Sequence, residues 1–131
     1  MASPTQRTLE RLRRSGYCAA VVERWNAHVG IRQDVFGIID ILAVGRGEPG
    51  VLGIQCTTSK NLAARVTKAK KIHELLVWLQ CGNRFSCWGW HKVEGTWRAR
   101  VVVLTAADIT PEVLPERLPE RRRGKQQALP F

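Results

Sequence analysis

The alternation of hydrophobic and polar residues predicts a helix, a strand and a loop in the first 34 residues. The segment SPTQRTLERLRR is typical of a helix, because Ser3 can cap it, Pro4 suits its first position and Gln6 completes a capping box. The segment YCAAVVERW, residues 17–25, has valines at its centre and predicts a strand. The polar segment at residues 26–34 predicts a loop.

Two apolar runs in the middle of the chain predict a hairpin. VFGIIDILAV, residues 35–44, is nearly all apolar, as expected of a strand buried on both faces. GRGEPG, residues 45–50, is a strong turn signal, and VLGIQCT, residues 51–57, predicts the next strand. Strand alternation then groups Phe36, Ile38, Asp40 and Leu42 on one side of the first strand, and Val51, Gly53, Gln55 and Thr57 on one side of the second.

The pattern changes to a helical period after the hairpin. Apolar residues recur at helical spacing from Asn61 to about Leu79 and predict one helix, which Cys81-Gly82-Asn83 ends. The segments at residues 85–92 and 96–104 predict a second hairpin. The predicted order is therefore α-β-β-β-α-β-β, an α/β domain with a mixed sheet flanked by helices.

The C-terminal segment changes character again. Residues 107–131 contain a proline-rich pseudo-repeat, PEVL, PERL and PERR, followed by a basic cluster. Such composition is typical of an extended, disordered tail. We therefore divide the chain into a folded domain at residues 1–106 and a basic tail at residues 107–131.

Composition adds a strong charge bias to this picture. The 131 residues include 21 Lys and Arg against 11 Asp and Glu, a net charge of +10, which favours a polyanionic partner such as nucleic acid over an inert basic surface. No apolar run is long enough to cross a membrane, and the N-terminus lacks the apolar region of a secretory signal. Four widely spaced cysteines without a CxxC motif favour free thiols in a reducing cytoplasm.

Candidate chemistry centres on Asp40, a carboxyl in the middle of an apolar run. Burying a charge costs several kcal/mol unless a partner compensates it. If the hairpin forms, Gln55 comes close to Asp40 at the strand ends, and Glu23 on the preceding strand offers a third oxygen ligand. Carboxylate and amide oxygens suit Mg²⁺ or Mn²⁺, which can activate water for phosphodiester cleavage.

The spacing of Asp40 and Gln55-Cys56-Thr57 resembles the PD-(D/E)XK nuclease superfamily, in particular the glutamine-containing variant of Mrr-type restriction domains, where GxxD…QxK recurs. The phrases VVERWN, RQDVFGIIDILAV and IQCTTSKNLAARVTK look like a group of small phage and prophage proteins described as endonucleases or Holliday junction resolvases. The resemblance covers about residues 3–104. It implies a restriction-endonuclease-like fold.

The resemblance also assigns roles residue by residue. Asp40 corresponds to the central metal ligand and Gln55 to the second, with Glu23 as an extra acidic ligand and Asp34 as a substitute or addition. Thr57 stands where the family has its catalytic lysine, so the site lacks that positive charge unless another residue supplies it. Lys60, Arg65 and Lys68 are the basic residues near enough in sequence to do so.

These observations predict a metal-dependent DNA endonuclease, with branched DNA as the resolvase-like substrate. A four-way junction offers two symmetric cuts, so the resemblance also implies a homodimer, acting in the cytoplasm of a phage-infected or lysogenic bacterium. Two basic groups are candidates for DNA contacts: Arg7, Arg11 and Arg14 in the first helix, and Arg65, Lys68 and Lys71 in the second.

Alternative interpretations stay open at this point. The chain could be a non-catalytic DNA-binding module on a degenerate nuclease fold, or a structural or regulatory phage protein that binds another protein. Asp40 could be a structural residue bonded to backbone amides or to Arg32, and Gln55 a simple polar strand end. Glu23 could pair with an arginine, and Asp34 could belong to a loop. Zinc binding by Cys81, Cys87 and His91 lacks a fourth ligand.

Overall fold

The computed structural model describes residues 2–111 as helices on both sides of one main sheet, with a small separate ribbon. The elements in chain order are α1 (Pro4–Arg14), β1 (Cys18–Val21), β2 (Arg24–Asn26), β3 (Ile31–Gln33), β4 (Ile41–Val44), β5 (Leu52–Thr58), α2 (Leu62–Ala69), α3 (His73–Gln80), β6 (Arg84–Val93) and β7 (Thr96–Leu104), followed by a 3₁₀ turn, Ala106–Asp108. Of the basic tail predicted at residues 107–131, residues 107–111 are described, with Ile109 buried in an apolar core, and residues 112–131 lie outside the described residues.

The main sheet is mixed and has five strands in the order β1-β4-β5-β6-β7. Strands β1, β4 and β5 are antiparallel neighbours, whereas β6 runs parallel to β5 and antiparallel to β7. The parallel pair requires a crossover, and α2 and α3 supply it. The sheet is therefore an antiparallel meander extended by one helical crossover and one hairpin.

The two faces of the sheet carry separate apolar cores. Leu12 of α1 packs against Ile41, Ile54 and other residues of β4 and β5 on one face. Leu62 and Leu75 of the crossover helices pack with residues of β6 and β7 on the other. Because successive strand residues point to opposite faces, Ile54 faces α1 while Gln55 faces α2 and α3.

The mixed α/β class with flanking helices agrees with the sequence analysis, but the predicted order of elements is wrong. The segment predicted as one strand at residues 17–25 divides after Val21, and residues 24–26 pair with residues 31–33 in the segment predicted as a loop. Neighbouring β4 begins only at Ile41, so after Val22 and Glu23, whose N–H groups donate to the Asp40 carbonyl, residues 24–33 do not pair with the main sheet. The backbone of these residues instead forms hydrogen bonds within a two-stranded ribbon, residues 24–33.

The strand predicted at residues 35–44 is also shorter than expected. Phe36 and Gly37 adopt left-handed backbone conformations, with φ of 57° and 73°, and form a tight turn closed by a bridge between Val35 and Ile39. Phe36 is consequently half-exposed, with its ring edge-on to Trp78 at 6.3 Å between centroids. Only Ile41–Val44 forms regular strand, and Asp40 directly precedes it.

The single helix predicted for residues 61–79 is two helices. The break falls at Ile72, whose extended backbone (ψ 113°) turns its side chain toward the core. The Lys70 carbonyl accepts from the backbone N–H of Thr110 at 2.8 Å, a tertiary hydrogen bond that takes the place of a helical one. No proline or glycine marks the break, so local sequence carried no signal for it.

Two predicted features are confirmed in detail. The α1 helix begins at Pro4 with Ser3 as its cap, and Gln6 completes the capping box. The β6–β7 hairpin turns at Glu94 and Gly95, both with positive φ, as the twist of a two-residue hairpin requires.

The four cysteines are free thiols, exposed at Cys18 and Cys81 and buried at Cys56 and Cys87. Burial raises the pKa of both buried thiols to about 12. Within residues 2–111 no helix is long and apolar enough to cross a membrane.

Candidate functional site

Asp40 lies at the point where three strands meet. Its backbone N–H donates to the Ile54 carbonyl at 2.8 Å, and its own carbonyl accepts from the N–H groups of Val22 at 2.8 Å and Glu23 at 3.3 Å. The residue is only 4% exposed. Backbone bonds on both sides therefore fix the position of this carboxyl within the sheet.

The Asp40 side chain is the first member of a buried hydrogen-bond chain. Its Oδ2 accepts from the Cys56 backbone N–H at 2.9 Å and from the Gln55 side-chain amide. The Gln55 Oε1 accepts in turn from the Arg65 guanidinium at 2.8 Å. The neighbours expected from the hairpin, Asp40 and Gln55, are thus in direct contact, and an arginine from α2 completes the chain.

Burial and neighbouring charge make the Asp40 carboxyl easy to protonate. Its pKa rises from 3.8 to about 7, mainly because burial disfavours the charged form. The Asp34 side chain, close enough to share a hydrogen bond, and the negative charge of Glu23 raise the pKa further, while the Cys56 N–H opposes the shift. The site therefore favours a positive species, either a proton or a cation.

Glu23 and Asp34 flank the ribbon at its base, one directly before β2 and the other directly after β3. Both line an open groove of about 790 Å³, together with ribbon residues. The Glu23 carboxylate also pairs with the Arg32 guanidinium at 3.1 Å. The pairing of Glu23 with an arginine, one of the alternatives from the sequence, is therefore present. We refer to Glu23, Asp34 and Asp40 as the acidic cluster, because the first two raise the pKa of the third.

The donor set fits a hard divalent cation through its carboxyls. Asp40 and the neighbouring Asp34, which raises the Asp40 pKa, can offer carboxylate oxygens to Mg²⁺, which commonly takes one or two carboxylates and completes its shell with water or phosphate. Gln55 orients its nitrogen toward Asp40 and its oxygen toward Arg65, so here it holds the Asp40 carboxyl in place. Among the described residues no three His, Cys, Asp or Glu side chains converge as a ready cage.

The residues expected to stand in for the catalytic lysine of the nuclease superfamily lie in different environments. Thr57 is buried, two positions beyond Gln55 and on the same face of β5. Lys60 is exposed in the turn before α2. Arg65, in the first half of α2, is the cation that reaches the hydrogen-bond chain.

The two basic groups lie on opposite faces of the sheet. On the α1 face, the Arg7 guanidinium stacks over Trp97 at 3.8 Å from the ring centroid, Arg11 lies over Trp90, and Arg14 pairs with Glu10. The group of Arg65, Lys68 and Lys71 belongs to α2 and the turn that follows it, on the other face. One flat surface does not contain both groups.

Sequence reasoning missed two parts of this site. It did not find the Cys56 N–H, a backbone donor that no side-chain pattern reveals. It also missed the ribbon, which a tight-turn signal, the Gly30 that adopts φ 67° between two short extended segments, could have indicated.

Comparison with models of protein families, with curated proteins and with solved structures found no match to this chain.

Proposed function

We propose that the protein is a metal-dependent DNA endonuclease that acts on branched DNA. The observation that carries the proposal is the hydrogen-bond chain Asp40–Gln55–Arg65, which links a cation through Gln55 to a buried carboxyl whose pKa Asp34 and Glu23 raise further. Phosphodiester cleavage needs both signs of charge: anionic ligands for a metal, and a cation near the negative charge that develops on phosphate. The net charge of +10 supports DNA as the substrate.

Asp40 and Asp34 are the residues that would hold Mg²⁺, or Mn²⁺, while Glu23, paired with Arg32, adds negative charge nearby. The bound ion would supply Lewis acidity and a water of lowered pKa. Gln55 fixes the Asp40 carboxyl by donating to Oδ2, and the Cys56 N–H holds the same oxygen. The protein part of the site is thus oriented before substrate arrives.

Arg65 is our candidate for the role of the missing lysine. Thr57 can donate a hydrogen bond but carries no charge, whereas the Arg65 guanidinium is permanently charged and is held by Gln55 at 2.8 Å. Its remaining N–H groups can donate to a phosphate oxygen. Lys68, one turn further along α2, extends the positive surface along the same helix.

The topology supports a restriction-endonuclease-like arrangement. The antiparallel strands β1, β4 and β5, followed by a helical crossover to parallel β6, are compatible with the core that the sequence resemblance implies. A homodimer would present two such sites to the two symmetric strands of a four-way junction. Action in the cytoplasm of a phage-carrying bacterium is part of the same proposal.

A non-catalytic DNA-binding module is the second candidate. The specific observation in its favour is that one oxygen of Asp40, Oδ2, is already saturated by the Cys56 N–H and the Gln55 amide, and that the Gln55 oxygen accepts from Arg65. Such saturation is also what a purely structural aspartate needs. In this alternative the acidic cluster stabilises the strand junction and the basic surface binds DNA.

Cleavage assays separate the two candidates. Labelled four-way junction and linear duplex would be incubated with the protein in EDTA, Mg²⁺ or Mn²⁺. We expect metal-dependent cutting that Asp40→Asn abolishes, because the neutral amide keeps the shape of the side chain but is a poor cation ligand. Glu94→Gln removes one negative charge from the distant β6–β7 turn and is the matched control. Salt-sensitive binding without cleavage in either metal would reject the nuclease in favour of the binding module.

A further inference from the structure

The β2–β3 ribbon exposes large apolar side chains. Trp25 is 62% exposed, Val29 60% and Ile31 52%. The ribbon makes its own two-stranded sheet and adds nothing to the two cores. Exposed aromatic and aliphatic groups grouped on one projecting element indicate a binding surface.

The charge of the ribbon indicates which kind of partner it binds. Residues 24–33 contain Arg24, Arg32 and His28 and no Asp or Glu. A surface that combines positive charge with an exposed indole is complementary to a polyanion that also offers apolar ring faces. Single-stranded or locally unpaired nucleic acid has both properties, because its phosphates are anionic and its bases are free to stack.

The register of the ribbon sets the two groups side by side. Trp25 lies directly opposite Arg32 and therefore shares a face with it. The Arg32 guanidinium is fixed at the base of the ribbon by its pair with Glu23. Trp25 can thus accept a base on its ring while Arg32, on the same face, stays near a flanking phosphate; Arg24 lies on the opposite face of the ribbon.

The position of the ribbon relates this surface to the acidic cluster. Glu23 directly precedes β2, and Asp34 directly follows β3, so both strands begin or end at the carboxyls that raise the Asp40 pKa. Trp25 is two residues from Glu23, about 7 Å along an extended strand.

We infer that the ribbon recognises unpaired bases in DNA, with Trp25 stacking on one base. The inference deepens the proposed function, on which the role of that base beside a cutting site rests. The binding itself is independent of cleavage. A paired base exposes only its edges to a side chain, so a stacking indole selects branch points, bulges and strand ends.

Binding measurements in EDTA test the ribbon without any contribution from cleavage. The substrates are a duplex with a three-nucleotide bulge and the same duplex without it, with 2-aminopurine in the bulge as a stacking probe. For Trp25→Ala we expect about tenfold weaker binding to the bulged duplex, loss of the 2-aminopurine fluorescence change, and less than twofold change for the intact duplex. Trp25→Phe keeps a ring and should retain most of the preference.

The matched control is Val103→Ala, which shortens a 66% exposed side chain on β7, away from the ribbon. Equal weakening by Trp25→Ala on both duplexes, or an unchanged fluorescence signal, would overturn the inference. A Trp25-dependent dimer seen by sedimentation without DNA would assign the ribbon to protein contact instead. A Trp25-dependent preference for the bulge without metal-dependent cutting would support the inference and reject the nuclease. Metal-dependent cutting with no dependence of bulge binding on Trp25 would support the nuclease and reject the inference.

Discussion

At the scale of single residues, both burial and neighbouring negative charge disfavour the ionised form of Asp40. It is buried at 4% exposure, yet its carboxyl has two other carboxyls nearby. The Cys56 N–H and the Gln55 amide offset only part of this cost. The native state therefore carries a carboxyl that prefers to be neutral unless a cation joins it.

The stability of the metal-free protein should fall as the pH rises from 4 to 7. The Asp40 pKa is 3.8 in the unfolded chain and about 7 in the native protein, so the native state binds the proton more tightly, and this advantage is complete below pH 4 and lost by pH 7. The loss is on the order of 3 kcal/mol. Urea unfolding of wild type and Asp40→Asn in EDTA measures it: the variant should gain on the wild type with increasing pH. A constant difference between the two would contradict the assigned pKa.

Divalent cations should reverse that loss. At pH 8 a cation that binds the ionised cluster stabilises the native state by mass action, about 2.7 kcal/mol when its concentration is 100 times the dissociation constant. We expect Mg²⁺ or Mn²⁺ to raise the melting temperature of the wild type and not of Asp40→Asn. Ca²⁺ and added NaCl at equal ionic strength control for selectivity and screening. Equal shifts in both proteins would place cation binding elsewhere.

Arg65 should matter for cleavage more than for substrate binding. Removal of one group that stabilises developing charge typically lowers kcat by 10²–10³-fold. We expect about this loss for Arg65→Gln, a smaller one for Arg65→Lys, and normal cleavage for Arg46→Gln, which neutralises an exposed arginine in the β4–β5 turn. A rise in KM with unchanged kcat would assign Arg65 to binding alone.

At the scale of elements, the position of Arg65 depends on the close contact of α2 with β6. A Cβ added at Gly89 would lie 3.0 Å from the Ser59 Cα and 3.0 Å from the Leu62 Cβ, at the start of α2. At Gly53 an added Cβ would lie 2.8 Å from Ile39 Cδ1, the end of a side chain that can rotate. The Ser59 backbone near Gly89 cannot move aside as easily as the terminal methyl group of Ile39 near Gly53.

Gly89→Ala should therefore destabilise the protein more than Gly53→Ala. Overpacking against backbone costs about 1–3 kcal/mol, and the displacement of α2 should also move Arg65 away from Gln55. Chemical denaturation gives the free energies of unfolding, and the cleavage rate under fully folded conditions reports the second effect. Equal costs at the two glycines would show that the α2–β6 contact is less rigid than its geometry indicates.

Local patterns were sufficient for some elements and not for others. Caps and two-residue turns lie within a few neighbouring residues, so α1 and the β6–β7 hairpin followed from the sequence. The contact of Asp40 with Gln55 followed from the hairpin. The break at Ile72 and the end of β1 depend on distant partners, Thr110 and the start of β4, which no local pattern contains.

At the scale of the whole molecule, the sheet separates two positively charged surfaces. The α2 group lies on the face that also carries Gln55, and the α1 arginines lie on the other face against Trp97, Trp90 and Glu10. A DNA duplex bound at the acidic cluster, as we propose, would meet the α2 group, on the same face as Gln55, before the α1 arginines. Contact with the α1 side requires that DNA, or a second arm of a junction, pass around the edge of the sheet.

The salt dependence of binding distinguishes these geometries. For linear duplex we expect Lys68→Gln to lower the slope of log K against log salt by about one, because one phosphate contact is lost, and Arg11→Gln to leave the slope unchanged. For a four-way junction both variants should lower it if the additional arms reach α1. A slope lowered only by Arg11→Gln would move the binding surface to the opposite face.

The four free cysteines allow the opening of the two faces of the sheet to be measured separately. Cys56 faces α1 and Cys87 faces the crossover helices, and a pKa of about 12 leaves almost no reactive thiolate in either while the protein is closed. Cys18 and Cys81, both exposed, give the rate at which the alkylating reagent reacts with an accessible thiol. Pulsed alkylation followed by mass spectrometry therefore records how often α1 lifts from the sheet and how often α2 and α3 do, as two separate rates in one untagged, unmutated chain.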